Sequence, residues 1–130
     1  MRQITKDIQI NIDGSQVVFR LFKLDAFSGA ALLRMLSKMS QGKDGDSVMS
    51  FIMYLSETDL RSLMTTCLQH CEVLLPAGWM PVMTRGEWTY PELEHDTAVC
   101  LKLTIEEVLW TLEGFFGGGA SGSLPEIPGS

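Results

Sequence analysis

Cys67, His70 and Cys71 fall on adjacent turns of a segment with helical spacing, so two thiols and an imidazole could face a single point. Cys100 and His95 would complete a tetrahedral zinc set, and either histidine beside a cysteine would make a nucleophile pair. The spacing also has a plainer meaning. No Cys-x-x-Cys knuckle occurs, and Cys67 and Cys71 are in phase with the apolar stripe of their segment, as packed thiols are. Nor does the sequence supply the electropositive helix start or the orienting third group that an activated thiol needs. A zinc-binding regulator or enzyme built on Cys67, His70 and Cys71 stays as an alternative, and the chain is expected to be non-catalytic, without cofactor or metal.

Glu92, Glu94 and Asp96 bracket His95, but they follow a proline in a polar stretch, where nothing separates their acidities as acid–base work requires. Acids there suit the entrance of a helix, whose dipole they complement. Glu106, Glu107 and Glu113 are expected on the wet side of the last helix. Gly117-Gly118-Gly119 comes after a helix and leads into none, the reverse of a phosphate-cradling loop.

The chain has 8 methionines, a high count for its length. Met35 and Met64 sit on clear apolar stripes. Met49, Met53, Met80 and Met83 lie off them or in a turn-rich stretch, where a deformable thioether surface suits varied apolar partners. Trp79, Trp88, Tyr90 and Trp110 are open to two readings, as interface anchors or as plugs that close a small core. These eight, Met49, Met53, Trp79, Met80, Met83, Trp88, Tyr90 and Trp110, are the candidate partner-binding residues.

The elements that position them follow from periodicity. Ile8, Ile10 and Ile12 alternate with polar residues, Asp13-Gly14 tolerates a tight hairpin turn, and the run from Gln16 to Phe22 returns as a second strand. From Asp25, a capping residue, Phe27, Ala31, Leu32, Met35, Leu36 and Met39 recur at helical spacing as far as Gly42. A polar loop over 42–46 precedes a shorter stripe of Val48, Phe51, Ile52 and Leu55. Ser56 and Asp59, with Leu55 and Leu60 as a staple, start a third helix expected to run to about Leu75, before Pro76. Residues 78–90 predict a short hairpin of Trp79-Met80 with 87–90. Ala98, Leu101, Ile105, Val108, Leu112 and Phe115 form one seam across the capping-box mimic at Thr104, predicting a single helix from Thr97 to Phe116. The expected architecture is α+β and predominantly helical, an N-terminal β-hairpin followed by about four helices, with one globular domain over 1–116 and a flexible Gly/Ser/Pro tail over 117–130.

Charge is unevenly divided: the formal net charge is −6, yet Lys102 is the single base after residue 85. An acidic C-terminal third repels phosphate backbones, so nucleic acid is not an expected partner, and the acidity fits either solubility or docking onto a basic partner. With 3 cysteines a disulfide framework is not expected, and neither a membrane span nor a secretory-type apolar stretch is visible. A soluble, unexported protein is the expectation.

The order of elements resembles the tail assembly chaperones of long-tailed, non-contractile bacteriophages. The similarity runs over most of 17–117: Val18-Phe19-Arg20-Leu21-Phe22-Lys23-Leu24 entering Ala30-Ala31-Leu32-Leu33-Arg34-Met35-Leu36, then Glu94-His95-Asp96, then Val108-Leu109-Trp110-Thr111-Leu112-Glu113-Gly114-Phe115-Phe116-Gly117. Asp96 stands where an aromatic is usual in the family, and Glu-Gly precedes the aromatic pair where Asn-Phe is common. The resemblance implies a protein of the host cytoplasm, absent from the mature virion, that coats the tape measure protein and keeps it soluble. It also implies self-association into curved or spiral arrays and, through a frameshifted extension beginning near Phe116-Gly117, recruitment of tail tube protein. A small structural, neck or tail-completion protein of the virion is the alternative.

Overall fold

The computed structural model describes residues 3–37 and 45–114, with the backbone alone for 45–47. β1 (Thr5–Ile12) and β2 (Ser15–Phe22) form the expected hairpin in unbroken register from Ile12↔Ser15 to Thr5↔Phe22. Its turn is of the mirror-image type whose twist matches the strands: Asp13 and Gly14 have φ of 52° and 88°, and Asn11 Oδ1 accepts from the Gly14 N–H. α1 (Ala26–Leu36) begins at Asp25, whose carboxylate accepts from Ser28 N–H at 3.1 Å. Hydrogen bonding by the Ser28 hydroxyl, and then by this N–H, holds the Asp25 carboxyl below its ordinary acidity range. Leu32 is buried, but Phe27, at the start of the predicted stripe, is 88% exposed.

α2 (Gly45–Met53) buries Val48, Phe51 and Ile52, so helix already occupies the end of the segment expected to be a loop. α3 (Glu57–Gln69) starts where expected, with Ser56 Oγ accepting from Asp59 N–H at 3.1 Å. Ser56→Ala is expected to cost about 1 kcal/mol of stability, because one helix-start N–H loses its acceptor; urea denaturation of the two proteins checks this.

The chain departs from expectation at the far end of α3. The helix stops at Gln69 with His70 as its cap, and β3 (Cys71–Leu75) follows instead of a further turn. Cys71 and Val73 are buried while Glu72 and Leu74 point to the other face, a period of two that apolar spacing alone does not separate from a helical one. Pairing decides it: β3 lies against β2 with Phe19↔Val73 and Leu21↔Cys71, and β4 (Gly78–Pro81) lies against β3. Trp79-Met80 therefore pairs with Val73-Leu74 and not with 87–90. The small hairpin is β5 (Met83–Thr84) with β6 (Glu87–Trp88), turning through Arg85 and Gly86 at φ of 53° and 80°. Pro81 ends β4 on the outer edge, where a missing N–H costs no ladder bond.

The result is a four-stranded antiparallel sheet in the order β1-β2-β3-β4 beside four helices. The fold is α+β with about half of the described residues helical and 28% in strands, so it is not predominantly helical, as the sequence reading had it. α4 (Thr97–Leu112) is one helix through Thr104, whose hydroxyl bonds the Cys100 carbonyl inside the helix rather than capping a new one. It separates two apolar clusters. Val99, Cys100, Leu103 and Trp110 pack with the sheet residues Phe19, Leu21 and Val73, whereas Val108 and Leu112 pack with Leu32, Ile52 and Leu63 of the other helices. Met39, residues 42–44, Phe115, Phe116 and the expected tail lie outside the described residues. Among those described, no helix is long and apolar enough to cross a membrane.

Candidate functional site

The three thiols do not converge on a metal. Cys67 and Cys71 are buried, with Cys71 Sγ donating to the Cys67 carbonyl at 3.3 Å; Cys100 Sγ donates to the Leu93 carbonyl at 3.3 Å. His70 is occupied elsewhere: its Nδ1 bonds the Thr66 carbonyl at 2.8 Å and its Nε2 lies 3.4 Å from Asp25 Oδ1. His95 is exposed. Among the described residues no group of three metal-ligating side chains is assembled. Burial pushes the Cys67 and Cys71 thiols up, with the Glu107 carboxylate adding to the effect, and pushes Cys100 up to about 11. A thiolate-selective alkylating reagent at neutral pH is therefore expected to leave all three thiols intact in the folded protein and to modify all of them in denaturant; mass spectrometry reads both states.

Glu107 is the residue that sequence reasoning misplaced. It was expected to face water and is completely buried, with neither carboxylate oxygen bonded to any group among the described residues. The predicted seam is covered from Leu101 to Leu112, with Ala98 exposed, and it is only one of two packed faces of α4. Val99, Leu103 and Trp110 form the other, and Glu107 sits in step with them. Loss of hydration raises its carboxyl to about 8, opposed by the Lys23 ammonium, which itself lies 5.0 Å from the centre of the Trp110 ring.

On the far side of the sheet, Arg20 grips Asp7 with two bonds, Nε–Oδ1 at 2.7 Å and Nη2–Oδ2 at 3.1 Å, and lays its guanidinium 4.1 Å from the Trp79 ring centre. Those bonds hold the Asp7 carboxyl below its usual range. Trp79 is therefore a half-buried stacking platform on that face.

A different surface combines several of the candidate residues. Between α3, the β5–β6 hairpin and the start of α4 runs an open groove of about 530 Å³. Leu60, Met64 and Leu68 of α3, at spacings of four, form one wall and Met83 and Trp88 the other, with Cys100 beneath. Glu57, Arg61, Glu94 and Asp96 ring it. Arg61 is 3.4 Å from Glu57, and Asp96 Oδ1 caps α4 by accepting from Val99 N–H. The walls are tied together by Gln69 Oε1, which accepts from the Gly86 N–H at the hairpin tip. Thioethers and an indole under an acidic rim make a surface that can adapt to an apolar helix carrying basic flanks.

The eight candidates thus divide. Met83 and Trp88 line the groove, and Met64, assigned from its spacing to the core, joins them half-buried. Met49 and Met53 are exposed one turn apart on α2, next to Tyr54, which is 79% exposed. Met80 and Tyr90 are half-buried against the sheet cluster, and Trp110 is buried in it. The groove brings together residues distant in sequence, and its one advance signal was the apolar row of α3 at 60, 64 and 68.

The chain was compared with protein-family models, with curated proteins and with solved structures, and it matches none of them.

Proposed function

We propose that this protein is a non-catalytic phage tail assembly chaperone that acts in the host cytoplasm. It binds and solubilises the tape measure protein, helps recruit tail tube protein, associates with itself, and is left out of the mature virion. One observation carries this reading on the molecular side, the groove walled by Met64, Met83 and Trp88 under its acidic rim. A long helical client exposes apolar stripes before the tail tube surrounds it, and a groove with repacking thioethers covers such stripes without demanding one sequence. The resemblance described above supplies the client's identity, and the acidic C-terminal third supplies a charge that favours basic flanks over nucleic acid.

The deciding experiment is coexpression with the long, helix-rich tape measure protein encoded nearby, scored for solubility and copurification. The expected result is a soluble client that elutes with several copies of this chain. An insoluble client with nothing coeluting would overturn the reading and favour a structural component, which purified particles would then contain.

A further inference from the structure

Among the described residues, β1 is an outermost strand of the sheet and pairs with β2 alone. The two-residue turn fixes which of its backbone groups face outward. Ile12 and Ser15 close the turn as a hydrogen-bonded pair, and alternation extends that inward orientation to Ile10, Ile8, Lys6 and Ile4. The Lys23 N–H donating to the Ile4 carbonyl at 2.9 Å lies at the far end of the same alternation. Thr5, Asp7, Gln9 and Asn11 consequently direct both their N–H and C=O groups away from β2. The Thr5 carbonyl, met there by Gln3 Nε2 at 2.8 Å, has that direction.

The side chains show a second incompleteness along the same edge. Ile4, Ile8, Ile10 and Ile12 share the core-facing side of β1, yet Ile8 and Ile12 are half-buried and Ile4 is 61% exposed. An eight-residue strand with outward ladder groups and half-covered isoleucines is a template for one more strand.

We infer that this edge pairs antiparallel with the same edge of a second copy, about a two-fold axis at Ile8. In that register Ile8 faces Ile8 of the partner subunit and Ile4 faces Ile12 of the partner subunit. Asp7 bonds across to Gln9 of the partner subunit, and Thr5 to Asn11 of the partner subunit. The register is chosen by what it covers and what it avoids. It brings Ile4 and Ile12 together, opposes no like charges, and leaves Asp7 on Arg20. Lys6 meets an isoleucine in either register, Ile10 of the partner subunit here and Ile12 of the partner subunit with the axis moved to Gln9, but that move would leave Ile4 uncovered, and a shift by one residue would turn the isoleucines to the wrong face. An unrelated extended peptide would gain the same ladder, but the matching of Ile4 to Ile12 is a property of the strand paired with itself. The inference deepens the self-association in the proposed function and holds independently of the tape measure reading, which concerns the groove.

Sedimentation velocity of the full chain at increasing concentration tests it, with a monomer–dimer equilibrium as the expected result. Gln9→Pro removes an outward N–H and places a ring on the edge without touching the β1–β2 ladder, so it is expected to give a monomer with an unchanged circular dichroism spectrum. Ile4→Lys, at an exposed position, is expected to weaken the dimer in the same way. Ile8→Cys is expected to form a disulfide-linked dimer on mild oxidation, because non-hydrogen-bonded antiparallel pairs bring Cα atoms to about 4.5 Å. A monomer at every concentration, a dimer indifferent to Gln9→Pro and Ile4→Lys, or cross-linking through Gln9→Cys in place of Ile8→Cys overturns the proposal.

Discussion

Glu107→Gln is expected to stabilise the protein against unfolding by roughly 3 kcal/mol at pH 7, and by more at higher pH. The carboxyl is buried without a partner among the described residues, and burial lifts it from 4.5 to about 8. In the unfolded chain it ionises near its ordinary value. Between those two values the native protein holds a proton that the unfolded chain has released, so each rise in pH favours unfolding. The penalty is absent below about pH 4.5, grows with pH, and levels off above about pH 8 at roughly 5 kcal/mol. An amide of the same shape carries no such proton.

Denaturation of both proteins at acid, neutral and alkaline pH measures the gap between them, and the contributions of all other acids cancel in that difference. A gap that stays constant with pH would show that Glu107 is not held neutral in the folded state. The charged and titratable groups around it enter the same comparison. Lys23 opposes the shift, while Cys67 and Cys71 remain thiols throughout the range. Glu107→Leu should gain still more at alkaline pH, since it also removes two unbonded oxygens from the interior.

What was legible in the sequence was local. Asp13-Gly14 determines its turn whatever packs nearby, and Asp25 and Ser56 cap their helices through bonds to residues three positions on. α4 was legible because its seam persists through Thr104. The misplaced features all depend on partners far along the chain. Cys71, Val73 and Leu75 suit a helix or a strand equally, and only the open edge of β2, some fifty residues earlier, makes them a strand. Glu107 looked solvated because one buried face was assumed for α4, whereas the sheet and the other helices take one each. The groove was illegible for the same reason: its walls meet only after β3 has carried the chain back across the sheet.

Trp88→Ala is expected to weaken binding of a tape measure segment by about thirtyfold while leaving the sheet intact. Trp88 is opposite Met83 in the β5–β6 pair and forms the hairpin wall of the groove. Loss of a large aromatic anchor from a partly desolvated groove typically costs about 2 kcal/mol or more of binding, which is the thirtyfold factor. Trp79→Ala is the matched control. It removes an indole of equal size, but from the outer face of the sheet, where the ring serves Arg20. Groove docking therefore predicts that titration calorimetry separates the two variants: the first loses affinity and the second retains it, even where both unfold at lower temperature. Salt adds an independent reading. The acidic rim of Glu57, Glu94 and Asp96 should speed association with a basic-flanked segment at low ionic strength, and Glu94→Gln should reduce that acceleration with little change in the dissociation rate. Equal losses for Trp88→Ala and Trp79→Ala would place the client elsewhere, and the exposed pair Met49 and Met53 on α2 would then be the surface to substitute next.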